Sequence, residues 1–165
     1  MATVIRGDDN FDTAYAKSVA IIADVKAQGV DGGTNLATTW STRSLNTEID
    51  DPQNIVSITS NQFTLQAGTY LIEWTCPAYK VNHNNSRLYN ATTSTVAEMG
   101  TAAYAESVEG VSNTTTGASI QTISSAAAFE IQHYFASARA NNGLGVSSQS
   151  GNSVYTLVKI HKIGA

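Results

Sequence analysis

The three histidines, His83, His133 and His161, are the side chains best able to hold a metal or move a proton, and they stand far apart along the chain. None belongs to a His-Glu-x-x-His or comparable ligand spacing, so a metal centre would have to be assembled by folding alone. Solvent-facing or core-satisfied histidines are the simpler reading. Serines are abundant, but no Gly-x-Ser-x-Gly elbow presents one to a base. Gly143-Leu144-Gly145 begins like a dinucleotide fingerprint, yet Ser148 occupies the place of the third glycine and no strand–helix–strand unit surrounds it, so it reads as a loop. Asp8, Asn10 and Asp12 have the alternate spacing of calcium-loop ligands, while Thr13 replaces the turn glycine and Val19 the closing glutamate. A solvated acidic leader fits them better. The single cysteine, Cys76, can form no intrachain disulfide. No catalytic group, metal or cofactor is expected from these residues. Arg6-Gly7-Asp8 is an integrin-type tripeptide read here as chance. Asn84-Asn85-Ser86, Asn90-Ala91-Thr92 and Asn113-Thr114-Thr115 fit the glycosylation rule, which chains rich in Ser and Thr meet freely.

Recognition chemistry is better represented. Asn82, His83, Asn84, Asn85 and Arg87, beside Tyr79 and Tyr89, combine amide, imidazole and guanidinium groups with flat rings, a mixture suited to stacking on a sugar and hydrogen-bonding it. The competing reading is that an Asn-rich stretch simply makes a turn. Trp40 and Arg43 are three residues apart, which in an extended strand puts them on opposite faces. Trp40 is therefore expected in a core or an interface, and Arg43 is expected to bridge to a carboxylate such as Glu48, Asp50 or Asp51.

The elements that must position these groups read as strands. Turn-rich patches at 29–35, 50–54, 82–85, 112–117 and 141–152 separate short runs rich in Val, Ile, Thr, Tyr and Phe, the spacing of an all-β sandwich or barrel. Strands are expected over 18–26, 39–45, 55–59, 62–65, 69–76, 86–91, 120–124, 127–136 and 154–163. The first run also fits a helix capped by Asn10 or Asp12 and closed by Gly29, with strand favoured over 19–26. In 69–76, Tyr70, Ile72, Trp74 and Cys76 alternate with Thr69, Leu71, Glu73 and Thr75, one core face and one mostly wet face. The final run is apolar on both sides: Val154, Thr156, Val158 and Ile160 against Tyr155, Leu157 and Ile163. The second side calls for a neighbouring subunit, or for a long loop over a central strand. Tyr155 and Leu157 are accordingly assigned to a subunit interface. Tyr134 joins them because it opposes the face of Phe129, Ile131, His133 and Phe135.

Composition agrees with a binding or structural protein. With 165 residues the chain suffices for one domain with its own core. Charged residues are 13% of it and the net charge is −4, which gives no basic surface for nucleic acid. No run approaches the roughly 20 apolar residues of a membrane-spanning helix, and the opening residues lack the pattern of a secretory signal.

The order of elements resembles the C1q/TNF-like jelly roll. Asn61-Gln62-Phe63-Thr64-Leu65-Gln66-Ala67-Gly68-Thr69-Tyr70-Leu71-Ile72 resembles that superfamily's aromatic strand, Gly-containing turn and second aromatic strand. Trp40-Ser41-Thr42-Arg43-Ser44-Leu45-Asn46-Thr47 is similar to a Trp-x-Thr-Arg-x-Leu-Asn-Thr segment in C1q-like domains of phage virion proteins, and Val4 to Asp12 is similar to their first residues. Trp40, Arg43, Leu45 and Asn46 are thus expected to form a structural motif. The resemblance implies an antiparallel jelly-roll sandwich over 18–165, behind a leader or attachment segment at 1–17, that forms a homotrimer about a threefold axis. A calcium ion shared near that axis stays open. It further implies a non-catalytic virion protein made without a secretory signal: a fibre or spike knob that contacts another virion protein and a host surface glycan or protein. A capsid-decorating trimer and a bacterial carbohydrate-binding sandwich are the alternatives.

Overall fold

The computed structural model describes residues 19–165; the leader, with Asp8, Asn10 and Asp12, lies outside the described residues. Eleven strands are described: β1 (Val19–Lys26), β2 (Trp40–Thr42), β3 (Thr47–Asp50), β4 (Val56–Thr59), β5 (Gln62–Leu65), β6 (Gly68–Tyr79), β7 (Asn82–Asn90), β8 (Thr95–Ala105), β9 (Ser112–Ile123), β10 (Ala127–Phe135) and β11 (Ser153–Gly164). They form two antiparallel sheets, one in the order β3-β1-β11-β6-β9 and the other β4-β5-β10-β7-β8, with β2 pairing to β10. The segment 19–26 is therefore a strand. Its alternatives are decided by partners, since it is laddered to β11 on one side and to β3 on the other.

Alternation builds the core. Tyr70, Ile72, Trp74, Cys76 and Ala78 of β6 are buried, as are Ile22, Val158 and Ile160 on the same sheet. Phe63, Leu65, Leu88, Phe129, Ile131 and Phe135 meet them from the other sheet. Removing each such side chain from water contributes about 1.5–3 kcal/mol. Ser60 and Asn61, with φ of 53° and 64°, form the two-residue hairpin that turns β4 into β5.

Four departures from the expected strands arise where apolar alternation is missing. β3 and β8 are additional, and the patches at 82–85 and 112–117 are strand rather than turn. β3 and β8 are largely exposed edge strands without a one-sided apolar face, and 82–85 and 112–117 turn polar side chains inward. In β9 the inward positions are Asn113, Thr115, Gly117 and Ser119, and their alternation is invisible to a reading based on apolar residues. Gly117 is required there, since a Cβ would fall 1.9 Å from the Trp74 ring. At the neighbouring edge β8 packs against β9, with the Thr116 amide donating to Thr101 Oγ1 at 2.9 Å. A Cβ on Gly100 would lie 2.7 Å from the Thr116 carbonyl oxygen.

Candidate recognition surface

The residues expected to form one ligand loop are divided among three places, because 82–90 is a strand paired on both sides, with β8 and β10. Tyr79 ends β6 at one tip of the sandwich, its ring 5.3 Å from the Arg139 guanidinium and 5.8 Å from Lys80 Nζ. Asn82 has φ of 59°, the left-handed conformation that asparagine tolerates at a turn. Its amide donates to Ser137 Oγ at 2.7 Å, and its oxygen accepts from the Ser107 amide at 3.1 Å. Asn84 is buried and serves the interior. Its Nδ2 donates to the carbonyls of Asn82 and Ala103, which leaves its Oδ1 to accept from His133 Nε2 at 3.1 Å. His83, Asn85, Arg87 and Tyr89 alternate with these buried positions and stay at least partly accessible.

On the six-stranded sheet, Arg87 is the centre of a built cluster. Cross-strand register puts Trp40 opposite Tyr134 and Tyr134 opposite Asn85, with Thr42, Gln132 and Arg87 in the next row, then Glu130 and Tyr89. The Arg87 guanidinium lies 4.0 Å over the Trp40 ring and 5.3 Å from Tyr89. Trp40 and Tyr134 are 5.7 Å apart and tilted by 51°. Arg87 Nε donates to Gln132 Oε1 at 2.8 Å, Gln132 Nε2 donates to Glu130 Oε1, and Gln62 Nε2 donates to Glu130 Oε2 at 3.0 Å. Glu130 is only 7% exposed, so the anchor of this chain of bonds is nearly inside the protein. Burial pulls the Arg87 guanidinium below its ordinary value, with Tyr89 and Glu130 opposing the shift. Such a group remains a cation at neutral pH. Rigid flat rings around a fixed cation can bind an anion or a polar ring.

Trp40 is thus half-buried on an outer face and is not a core residue. Arg43, on the opposite face of the same segment, is 1% exposed. It donates from Nε to Thr156 Oγ1 at 2.8 Å and from Nη2 to the Leu144 carbonyl at 3.0 Å. The carboxylates expected for it are elsewhere. Asp51 accepts from the amides of Ile55 and Val56, and Glu48 and Asp50 are exposed on β3. The carboxylate that shares the interior with Arg43 is Asp24, whose own pKa is raised by burial and lowered in part by Lys26 and Arg43. Leu45 is buried, and Asn46 ties β1 by donating to Asp24 Oδ1 at 3.2 Å and accepting from the Val25 amide at 2.9 Å. His133 is fully buried, and desolvation followed by repulsion from Arg43 holds its pKa well below the usual imidazole value. Among the described residues no three of His, Cys, Asp and Glu gather as metal ligands.

The residues expected at a subunit interface are also separated. Tyr134 belongs to the six-stranded sheet beside Trp40, whereas Leu157 lies on the five-stranded sheet. Tyr155 is 4% exposed and covered by its own chain: its hydroxyl donates to the Val30 carbonyl at 2.7 Å, and Gly145 is pressed against its ring. Loops supply the cover that a neighbouring subunit was expected to give there. Further along β11 the described residues give no such cover. Leu157 is half-buried, Ile120 on β9 is 64% exposed, and Leu157, Met99 and Ala118 line an open groove of about 560 Å³. Glu73, 3.9 Å from His161, Lys159 and Asp50 bring charge to this face.

The two antiparallel sheets and their strand order define a C1q/TNF-like jelly roll. Among solved structures, the chain is similar to the globular domain of zebrafish complement 1qA protein (TM-score 0.57, 13% identity, covering 89% of this chain and 97% of that one). It is similar also to murine APRIL at pH 5.0 (TM-score 0.57, 11% identity, 87% and 98%) and to Eiger TNF from S. frugiperda (TM-score 0.58, 10% identity, 88% and 91%). No family model and no curated protein matches the sequence. At these identities the likeness defines the fold.

Proposed function

We propose that this chain is a non-enzymatic, homotrimeric recognition module of a phage particle, a fibre or spike knob that attaches to the host surface while docked on another virion protein. The observation that carries the self-association is the outer face of the five-stranded sheet, where half-buried Leu157 lines an open groove and exposed Ile120 stands two rows away beyond Lys159 and Glu73, with no cover from the described residues. Exposed apolar area of this kind marks an interaction surface, and a threefold ring closes when such a surface packs on a different patch of the next copy. The phage setting rests on the segment Trp40 to Thr47 and on the opening residues, which resemble those of phage virion proteins. Attachment without chemistry fits a surface that offers rings, amides and a guanidinium.

Light scattering behind a sizing column tests the assembly. A mass near three chains that persists on dilution is the expected result, and a monomer would favour a single-chain carbohydrate-binding sandwich. Labelling of virions with antibody to the chain tests the position. Signal at the tail tip is expected, whereas signal over the head would make the protein a capsid-decorating trimer.

A further inference from the structure

The cluster on the six-stranded sheet has the form of an anion site. Arg87 is held from below by an uninterrupted run of hydrogen bonds, Gln62 to Glu130 and Gln132 to Glu130 and Arg87 to Gln132, anchored in a carboxylate that is nine-tenths buried. It is held from the side by the Trp40 ring at 4.0 Å. Only Nε is used in this scaffold; the two terminal nitrogens have no protein partner among the described residues. A guanidinium with its plane fixed and its outer fork unused matches the two oxygens of a carboxylate. Arg87 is therefore prepared before the ligand arrives, and its ordering cost has already been met by the fold.

The surroundings narrow the ligand further. Tyr134 and Trp40 stand tilted on one side of Arg87 and Tyr89 on the other, while Gln132 and Thr42 share its row. Flat rings with a polar edge, beside amides and hydroxyls, suit a sugar ring, which presents C–H faces and hydroxyls together. We propose that Arg87, Trp40, Tyr134 and Tyr89 form a binding site for a carboxylate-bearing sugar, a hexuronic or nonulosonic acid within a larger glycan. This deepens the attachment reading and rests on it, but it can be tested apart from it.

The test uses the intact protein on an array of acidic, sulfated and neutral glycans, followed by calorimetry with a hexuronate-containing or nonulosonate-containing oligosaccharide and its carboxyl-reduced counterpart. Binding of the acidic form, at least tenfold weaker after carboxyl reduction, is expected; this comparison requires no variant. Arg87→Gln and Tyr134→Ala, each checked for unchanged assembly and unfolding, are expected to weaken binding at least tenfold. Equal binding of the reduced sugar, binding of sulfated or protein ligands alone, or no acidic glycan bound at all would overturn the proposal. The two readings fail differently. If Arg87→Gln still attaches to host cells as the parent does, the site is wrong and attachment stands; if the parent ignores host cells yet binds the acidic sugar, the site stands and attachment falls.

Discussion

Arg43, Asp24, His133, Asn84 and Cys76 show how much of the interior is polar at the level of single residues. His133 is the most informative of them. Its folded pKa is depressed below the 6.5 of a free imidazole, so below that pH the unfolded chain takes up a proton that the native chain refuses. The stability it confers is complete above pH 6.5 and is lost as pH falls towards the folded value, at up to about 1.4 kcal/mol per pH unit. Asp24 has the opposite sign, its raised pKa favouring the fold as it becomes protonated at lower pH. Urea unfolding from pH 7.5 to 5 is therefore expected to give a smaller loss of stability for His133→Gln, which keeps a donor for Asn84, than for the parent; equal slopes would contradict the assignment. Cys76 gives a second prediction at this scale. Burial pushes its thiol up to about 11, with Arg43 and the hydroxyls of Thr156 and Ser86 opposing. Since thiolate and access are both needed for reaction, Cys76 is expected to be inert to a disulfide reagent at pH 8 in the native protein and to titrate as one thiol in urea.

At the scale of elements, β6 was legible in the sequence and β8 and β9 largely were not. Tyr70, Ile72 and Trp74 alternate with Leu71, Glu73 and Thr75, a period that only a half-buried strand satisfies. β9 alternates too, but between threonines outside and small polar groups inside, and no apolar contrast reveals it. What fixes β9 is its twelve-residue pairing with β6 and the space left for one ring. Trp74 occupies the volume above Gly117 and donates from Nε1 to Ser86 Oγ at 2.9 Å, linking the two sheets. Gly117→Ala is accordingly expected to destabilise the protein by about 3 kcal/mol, as overpacking does where the neighbour is a buried ring. A calorimetric scan checks this, and an unchanged midpoint would mean that Trp74 has room to move.

For the whole molecule, the decisive contrast is between the two outer faces. On the five-stranded sheet Leu157 is half-buried and Ile120 exposed, and on the six-stranded sheet Arg87 lies among its rings. Leu157→Asp is expected to reduce the mass from about three chains to one, with the far-ultraviolet spectrum retained; a persistent trimer would place the interface elsewhere. Arg87 is far from that substitution in the fold, so acidic-sugar binding per chain is expected to survive it. The fold class and the strand status of the long apolar runs were legible along the chain, because periodicity is a local property. The sequence also marked Trp40, Tyr134, Arg87 and Tyr89 individually. That these four meet follows from long-range strand pairing alone. Trp40 reaches Arg87 across β10, between segments more than forty residues apart, and no local rule encodes that register. The tertiary structure likewise decided that Tyr155 is covered by Val30 and Gly145 while Leu157 is open. Loop packing sets that difference, and alternation along β11 treats the two residues alike.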